Sequence, residues 1–83
     1  MALFMDIHEL EGSVSLEAVA DAHAKDLEVE GRHGVHYQRY WVDEAAGRIF
    51  CLAEAPTAEA AATVHREAHG LVADHIFEVR EGT

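Results

Sequence analysis

The chain has 83 residues, 49% of them hydrophobic, with six Gly and one Pro, which is enough for one hydrophobic core and too little for two. Six Lys and Arg against sixteen Asp and Glu give a formal net charge of −10. Such a surface repels the phosphate backbone of nucleic acids and the anionic face of a membrane, so neither is an expected partner. We therefore expect a single domain over residues 1–83.

Two further features bear on location and assembly. The first ten residues carry acidic groups and no basic flank, which predicts neither a signal peptide nor a membrane span and hence a cytoplasmic protein. Cys51 is the single cysteine, so no internal disulfide can stabilise this small domain. Pairing with a second copy is the expected source of additional buried area.

The chain begins with an alternating pattern that predicts a strand over residues 3–8. One face of this strand is plainly apolar, and the other carries Asp6 and His8. The alternation leaves two orientations open. The face with Asp6 and His8 could pack beneath the helices, or it could lie on the opposite side of the sheet.

A helix is predicted over residues 16–30, because Ser15 is a favourable N-cap and apolar side chains then recur at helical spacing until Gly31. His23 lies four residues from an apolar side chain in each direction. Its imidazole is therefore expected on the apolar face of this helix.

The rest of the chain predicts a hairpin, a helix and a strand. Their expected ranges are 34–42 and 48–54 for the hairpin strands, 58–69 for an alanine-rich helix and 74–80 for the last strand. The order β-α-β-β-α-β with right-handed crossovers predicts the ferredoxin-like α+β fold, an antiparallel sheet with both helices on one face. Large apolar groups lie on both faces of the strand over 34–42, so we expect a homodimer that covers the open face.

Histidine is the unusual component of this composition, because the seven His outnumber the six Lys and Arg. Imidazole is the commonest transition-metal ligand, and an acidic surface attracts cations. His65 and His69 lie four residues apart, about 40° around a helix, a spacing at which two imidazoles can bind one ion. The alanines of this helix recur on the same side as His65, and this side should face the sheet. The His65–His69 pair is therefore predicted to point inward.

The segment from His65 to His69 differs from the zinc-protease helix in one position. In that motif the Glu follows the first His directly, whereas Glu67 comes one residue later and points about 100° further round. A protease is therefore not expected. Glu67 and Asp6 are the carboxylates considered as additional ligands.

The remaining histidines are His33, His36 and His75, all expected to be exposed. His36 is the best further ligand candidate among them, because it shares a predicted strand face with Gln38 and Tyr40 and could reach an ion at the dimer interface. Cys51 lies within a predicted strand, where a small buried thiol is the usual finding.

Five segments carry a resemblance to a known family. They are Phe4-Met5-Asp6-Ile7-His8, Ala22-His23-Ala24-Lys25-Asp26-Leu27, Tyr40-Trp41-Val42-Asp43-Glu44, Phe50-Cys51-Leu52 and His65-Arg66-Glu67-Ala68-His69-Gly70-Leu71-Val72. In this order they resemble a family of small actinobacterial ferredoxin-like nickel-binding proteins. The resemblance implies a homodimer that binds a divalent metal, with nickel in the described member and no established reaction. The family's histidines match His8, His23, His65 and His69.

Three functions remain open from the sequence. The first is binding of a divalent metal, most simply nickel, although zinc or copper would suit the same ligands. The second is a small dimeric enzyme whose pocket is lined by Tyr37, Tyr40 and Trp41, with His36 as acid-base group. The third is an interaction module in which the histidines form a hydrogen-bonded core. The candidate metal ligands are Asp6, His8, His23, His36, His65 and His69.

Overall fold

The computed structural model describes residues 1–82 and contains every predicted element, with ends within two residues of those expected from the sequence. The strands are β1 (Ala2–Glu9), β2 (His36–Asp43), β3 (Arg48–Ala55) and β4 (His75–Val79), and the helices are α1 (Leu16–Val29) and α2 (Ala58–Ala68), with a short 3₁₀ helix at Glu30–His33. None of the helices within residues 1–82 is long and apolar enough to cross a membrane.

The caps of both helices explain where they start. Ser15 accepts a hydrogen bond from the backbone N–H of Ala18, and Thr57 accepts one from Ala60. These bonds satisfy amide groups that have no partner within the helix. The helices therefore begin where the sequence predicted.

The four strands form one sheet in the order β2-β3-β1-β4, with each neighbouring pair antiparallel. Both helices pack on the same face: the Tyr37 hydroxyl reaches the Ala61 carbonyl of α2, and His65 of α2 contacts Asp6 of β1 and Asp26 of α1. This α+β arrangement is compatible with the ferredoxin-like fold.

The core lies between the helices and the sheet, and it shows which face of β1 is buried. Asp6 and His8 point into it, with only 2% and 4% of their surface exposed. Asp26 and His65 are buried beside them at 3% and 1%. A core this small that contains four ionisable side chains depends on their pairing, because a buried polar group without a partner costs about 1–3 kcal/mol.

A β-bulge changes the predicted alternation of β2. The register with β3 shifts between Tyr37 and Arg39, which leaves Gln38 as the extra residue. As a result, Tyr37 and Tyr40 both point towards the helices, whereas Trp41 lies on the open face with 46% of its surface exposed. The expected pocket of Tyr37, Tyr40 and Trp41 is therefore wrong, and His36 does not share a face with Tyr40.

The open face of the sheet is apolar in its centre. Met5 pairs with Phe77 on one side and with Leu52 on the other, and Trp41 pairs with Phe50. Phe77 is 54% exposed. This face also contains a groove of about 430 Å³, lined in part by Trp41, Arg39 and Arg80.

The hairpin turn is joined to the loop before α1. The Leu10 N–H donates to the Gly47 carbonyl at 2.8 Å, and the Leu16 N–H donates to the Glu44 carboxylate at 3.0 Å. Gly47 has φ +69°, and a Cβ at this position would lie 2.1 Å from the Gly12 carbonyl oxygen. Only glycine permits this close approach.

Candidate metal centre

The polar side chains of the core converge between β1, α1 and α2. We call Asp6, His8, Asp26, His65 and His69 the histidine–aspartate cluster. β1 supplies the first two, α1 supplies Asp26, and α2 and its C-cap supply the two other histidines. Three elements therefore meet at one group of ionisable side chains.

His65 is at the centre of this cluster. Its Nε2 lies 2.9 Å from Asp6 Oδ2, and its Nδ1 lies 2.9 Å from Asp26 Oδ1. Both ring nitrogens face carboxylates, which can only accept, so both nitrogens donate. Burial by itself would lower the pKa of His65, but the hydrogen bonds to Asp26 and Asp6 outweigh it and raise this pKa to about 11. His65 is therefore an imidazolium at neutral pH.

The two carboxylate oxygens of Asp6 differ in their surroundings. Oδ2 accepts from the Tyr37 hydroxyl at 2.7 Å and from His65. Oδ1 lies 3.2 Å from His8 Nε2 without hydrogen-bond geometry, and within residues 1–82 it is the one buried side-chain oxygen or nitrogen without a partner. Burial raises the pKa of Asp6, yet His65, His8 and Tyr37 together bring it well below its ordinary value.

His69 closes the cluster from the end of α2. It is the C-cap of the helix rather than its last residue, and its Nε2 lies 3.0 Å from Asp26 Oδ1. Its Nδ1 accepts from the Leu71 N–H at 3.1 Å. Burial lowers the pKa of His69, so the ring is neutral at pH 7 with its proton on Nε2. His65 and His69 point inward together, as their spacing predicted, with ring centroids 5.0 Å apart.

A small cavity adjoins the cluster. It has a volume of about 20 Å³ and is lined in part by His8, His23, Cys51 and His69, which is room for about one particle the size of a water molecule. His23 stacks against Tyr40 with a centroid distance of 4.7 Å. Burial raises the pKa of the Cys51 thiol to about 11, so this group is protonated at neutral pH.

Two sets of potential metal ligands overlap in this region. One contains Asp6, His8, Cys51 and His65, and the other contains Asp26, His65 and His69. Within each set, donor atoms lie within 4.8 Å of one another. Imidazole, carboxylate and thiolate together suit borderline transition metals better than magnesium or calcium.

Other candidate ligands lie outside the cluster. His36 is on the surface, where its Nδ1 lies 3.2 Å from Glu30 Oε2, so the structure does not bring it to the metal ligands. Glu67 contacts His33 at 3.0 Å, and His75 lies 3.5 Å from Glu9. Each of these histidines has a glutamate beside it; His36 and His75 are exposed as expected, whereas His33 is partly buried, with 25% of its side chain exposed.

Sequence reasoning missed Asp26 and the partnership of Tyr37 with Asp6. Asp26 follows Val19 by seven residues, two helical turns, so it lies on the same buried stripe of α1. The position of the Asp26 carboxylate among the apolar residues of this stripe was the sequence signal that could have identified it. The position of Tyr37 depends on the bulge in β2, for which the chain contains no glycine or proline as a local marker.

Comparison with known proteins agrees with this architecture. The chain matches the model of a family described as "Nickel responsive protein SCO4226-like" over residues 4–79. It is similar to the crystal structure of SCO4226 from Streptomyces coelicolor A3(2), with 41% sequence identity and a TM-score of 0.91, covering 99% of this chain and 100% of that one. A comparison with curated proteins gives no match. The extent of the family match places this chain in the SCO4226-like family of nickel responsive proteins, as the resemblance of its motifs implied.

Proposed function

We propose that this protein binds a divalent transition-metal ion, nickel in the first place, at the histidine–aspartate cluster of a cytoplasmic homodimer. The observation that carries the proposal is the meeting of two ligand sets at His65, each with donor atoms within 4.8 Å. The family description supports nickel as the cargo. Ligand chemistry alone would also accept zinc or copper.

The charge balance of the cluster supports a cation. Asp6 and Asp26 are two carboxylates in a buried region, and in the metal-free protein the protonated His65 lies between them. A divalent ion can supply the same compensation while the imidazole gives up a proton. Asp6 Oδ1, which lacks a hydrogen-bond partner, is the oxygen best placed to bind the ion.

The homodimer is supported by the open face of the sheet. Trp41 and Phe77 are 46% and 54% exposed there, and a second copy would remove this apolar surface from water. The cluster lies on the other side of the sheet, beneath the helices. In a dimer formed through the open face, each subunit would therefore hold its ion with its own ligands.

Storage, buffering or sensing of the ion fits this arrangement better than turnover. The enzyme alternative required one pocket containing Tyr37, Tyr40 and Trp41, and the bulge distributes these residues over two faces. The acidic surface, with its net charge of −10, would attract cations towards the molecule. We assign no reaction.

Calorimetric titration of metal-free protein with nickel tests the proposal. His65→Ala and His69→Ala should each lower the affinity at least tenfold, about 1.4 kcal/mol, because each removes a nitrogen ligand. The double variant should lose less than the sum, since a site broken once has less left to lose. His75→Ala is the matched control and should bind as the unaltered protein does.

Thermal melting of the same metal-free variants separates binding from stability. If the two histidines serve only as hydrogen-bonded core groups, their replacement will lower the melting temperature and leave nickel affinity unchanged. That result would contradict the proposal. A loss of affinity confined to His75→Ala or His36→Ala would place the ion on the surface instead.

A further inference from the structure

The groove of about 430 Å³ lies on the open face of the sheet, away from the histidine–aspartate cluster. Its floor consists of half-buried apolar side chains from three strands: Leu3 and Met5 of β1, Leu52 of β3 and Val79 of β4. Cross-strand pairing makes these side chains neighbours in the sheet. Pockets that hold small organic molecules are typically about 300–1,000 Å³, with a mostly apolar lining and a few polar groups. The groove agrees with this description in both size and lining.

Arg39 places a guanidinium at the β2 side of this groove. It pairs with Leu52 in the register of β2 and β3, so its side chain leaves the sheet on the open face, as does that of Trp41 two residues later. Arg39 is exposed and forms no salt bridge with a carboxylate of residues 1–82, whereas two other arginines are paired with glutamates. In a chain with a net charge of −10, Arg39 is therefore a local positive charge without a partner.

The other polar residues of the groove do not offer a second free positive charge. Arg80 and Glu81 form its opposite edge, and these adjacent residues carry opposite charges. β2 and β4 are the two edge strands of the sheet, so this pair lies across the groove from Arg39. The Gln38 amide donates to Glu54 at 2.6 Å and is already satisfied. The positive side of the groove is thus the β2 side, where the Trp41 indole is also located.

The groove occupies only part of the open face. Phe50 and Phe77 lie on the same face, but neither is among the residues that line the groove. The aromatic surface around them is available for contact with a second copy. A second copy and a small molecule can therefore occupy adjoining parts of this face.

We propose that the groove binds a small free molecule with an apolar body and one carboxylate, such as a fatty acid of medium length. The apolar body would lie on the floor of the groove against the Trp41 indole, and the carboxylate would pair with the Arg39 guanidinium. Arginine suits this role because its planar side chain offers two parallel N–H donors to a carboxylate. This inference goes beyond the proposed function and does not depend on a metal ion.

Decanoate is a suitable probe, because Trp41 is the only tryptophan of the chain and reports directly on the groove. The indole is 46% exposed, so an alkyl chain that covers it should move the fluorescence emission to shorter wavelength. We expect a saturable shift when decanoate is added to the metal-free protein. Decanamide has the same alkyl chain without the charge, and it should bind at least tenfold more weakly because it cannot form the ion pair.

Two matched substitutions test the position of the carboxylate. Arg39→Gln should bind decanoate at least tenfold more weakly and leave the binding of decanamide unchanged, since only the charged contact is lost. Arg66→Gln removes the same charge from an exposed position in the last turn of α2, and it should bind decanoate as the unaltered protein does.

Three results would overturn the inference. Equal affinity for decanoate and decanamide would show that the groove does not select an anion. Equal weakening of decanoate binding in both arginine variants would show that the overall charge matters and that Arg39 is not the contact. An unaltered protein that does not bind decanoate would show that the groove is not a site for such molecules.

Discussion

His65 connects three elements through two hydrogen bonds. A buried imidazolium between two carboxylates is stable only while both partners remain, because removal of one partner of a buried ion pair costs about 3–5 kcal/mol. Asp6, Asp26 and His65 are buried to 2%, 3% and 1% exposure, so water cannot replace a lost partner. At the scale of single residues, this ion network is the main polar contribution to the core.

The pKa of His65 makes the stability of the metal-free protein dependent on pH. This pKa is raised from 6.5 to about 11 on folding, so the stabilisation is complete below pH 6.5 and is lost as the pH rises towards 11. Urea unfolding of chelator-treated protein should show the decline, and His65→Gln should show a smaller one. Equal slopes in the two proteins would contradict the assigned protonation.

The Asp6 carboxyl gives the stability of the metal-free protein a pH dependence opposite to that from His65. Its pKa falls below the ordinary 3.8 on folding, so its contribution is present above that value and is lost as the pH falls further. The two residues together predict maximum stability of the metal-free protein between about pH 4 and 6.5. The comparison of Asp6→Asn with the unaltered protein at pH 3 and 6 should show a smaller difference at pH 3.

The sequence allowed the positions of some of these residues to be predicted. His65 and His69 were identifiable because a four-residue spacing and an alanine stripe determine direction on a helix. The inward orientation of Asp6 and His8 could not be predicted, because the alternation of a β-strand distinguishes two faces without showing which one is buried. Asp26 went unrecognised because an aspartate on a helix is ordinarily solvated, and only the partner on α2 explains its burial.

At the scale of elements, prediction succeeded where local signals were strong. Ser15 and Thr57 as N-caps determine the helix starts, and the β-rich segments determine the strands. The bulge at Gln38 had no such local signal, and the contacts of the neighbouring Tyr37, with Asp6 and Ala61, are made with other elements. A single inserted residue was enough to move Trp41 to the open face.

Gly47 gives a test of how the hairpin and the loop before α1 depend on each other. Gly47→Ala should destabilise the protein by about 2–3 kcal/mol, since the new methyl group would meet the Gly12 carbonyl and φ +69° is unfavourable for alanine. Gly34→Ala is the matched control: its φ is +66°, but the space around it is open, so it should cost only about 1 kcal/mol. Equal losses on urea unfolding would show that the close approach is unimportant.

At the scale of the whole molecule, the two faces of the sheet differ in chemical character. The helix-covered face contains the cluster, and the opposite face carries the apolar surface around Met5, Trp41 and Phe77. The extents of 33 × 31 × 18 Å describe a flat molecule with a broad face available for pairing. Under the proposed function, a substitution on one face should therefore leave the role of the other face unchanged.

Analytical ultracentrifugation tests the dimer. We expect a homodimer at micromolar concentration and a shift to monomer in Phe77→Glu, because the charge would be buried at the interface. Leu27→Glu introduces the same charge at a residue of α1 that is 48% exposed, and it should remain dimeric. A monomeric unaltered protein, or equal dissociation of both variants, would contradict pairing through the open face.

The hydrogen bonds of His65 have a final consequence for how an ion could leave. Small metal-dependent domains unfold when a chelator removes the ion, because nothing else holds their ligands together. Here the imidazolium of His65 donates one hydrogen bond to each of two aspartates, and these bonds keep β1, α1 and α2 joined in the absence of metal. Removal of the ion should therefore leave a folded protein that can bind metal again. A protein of this kind would store the ion reversibly instead of retaining it until the protein is degraded.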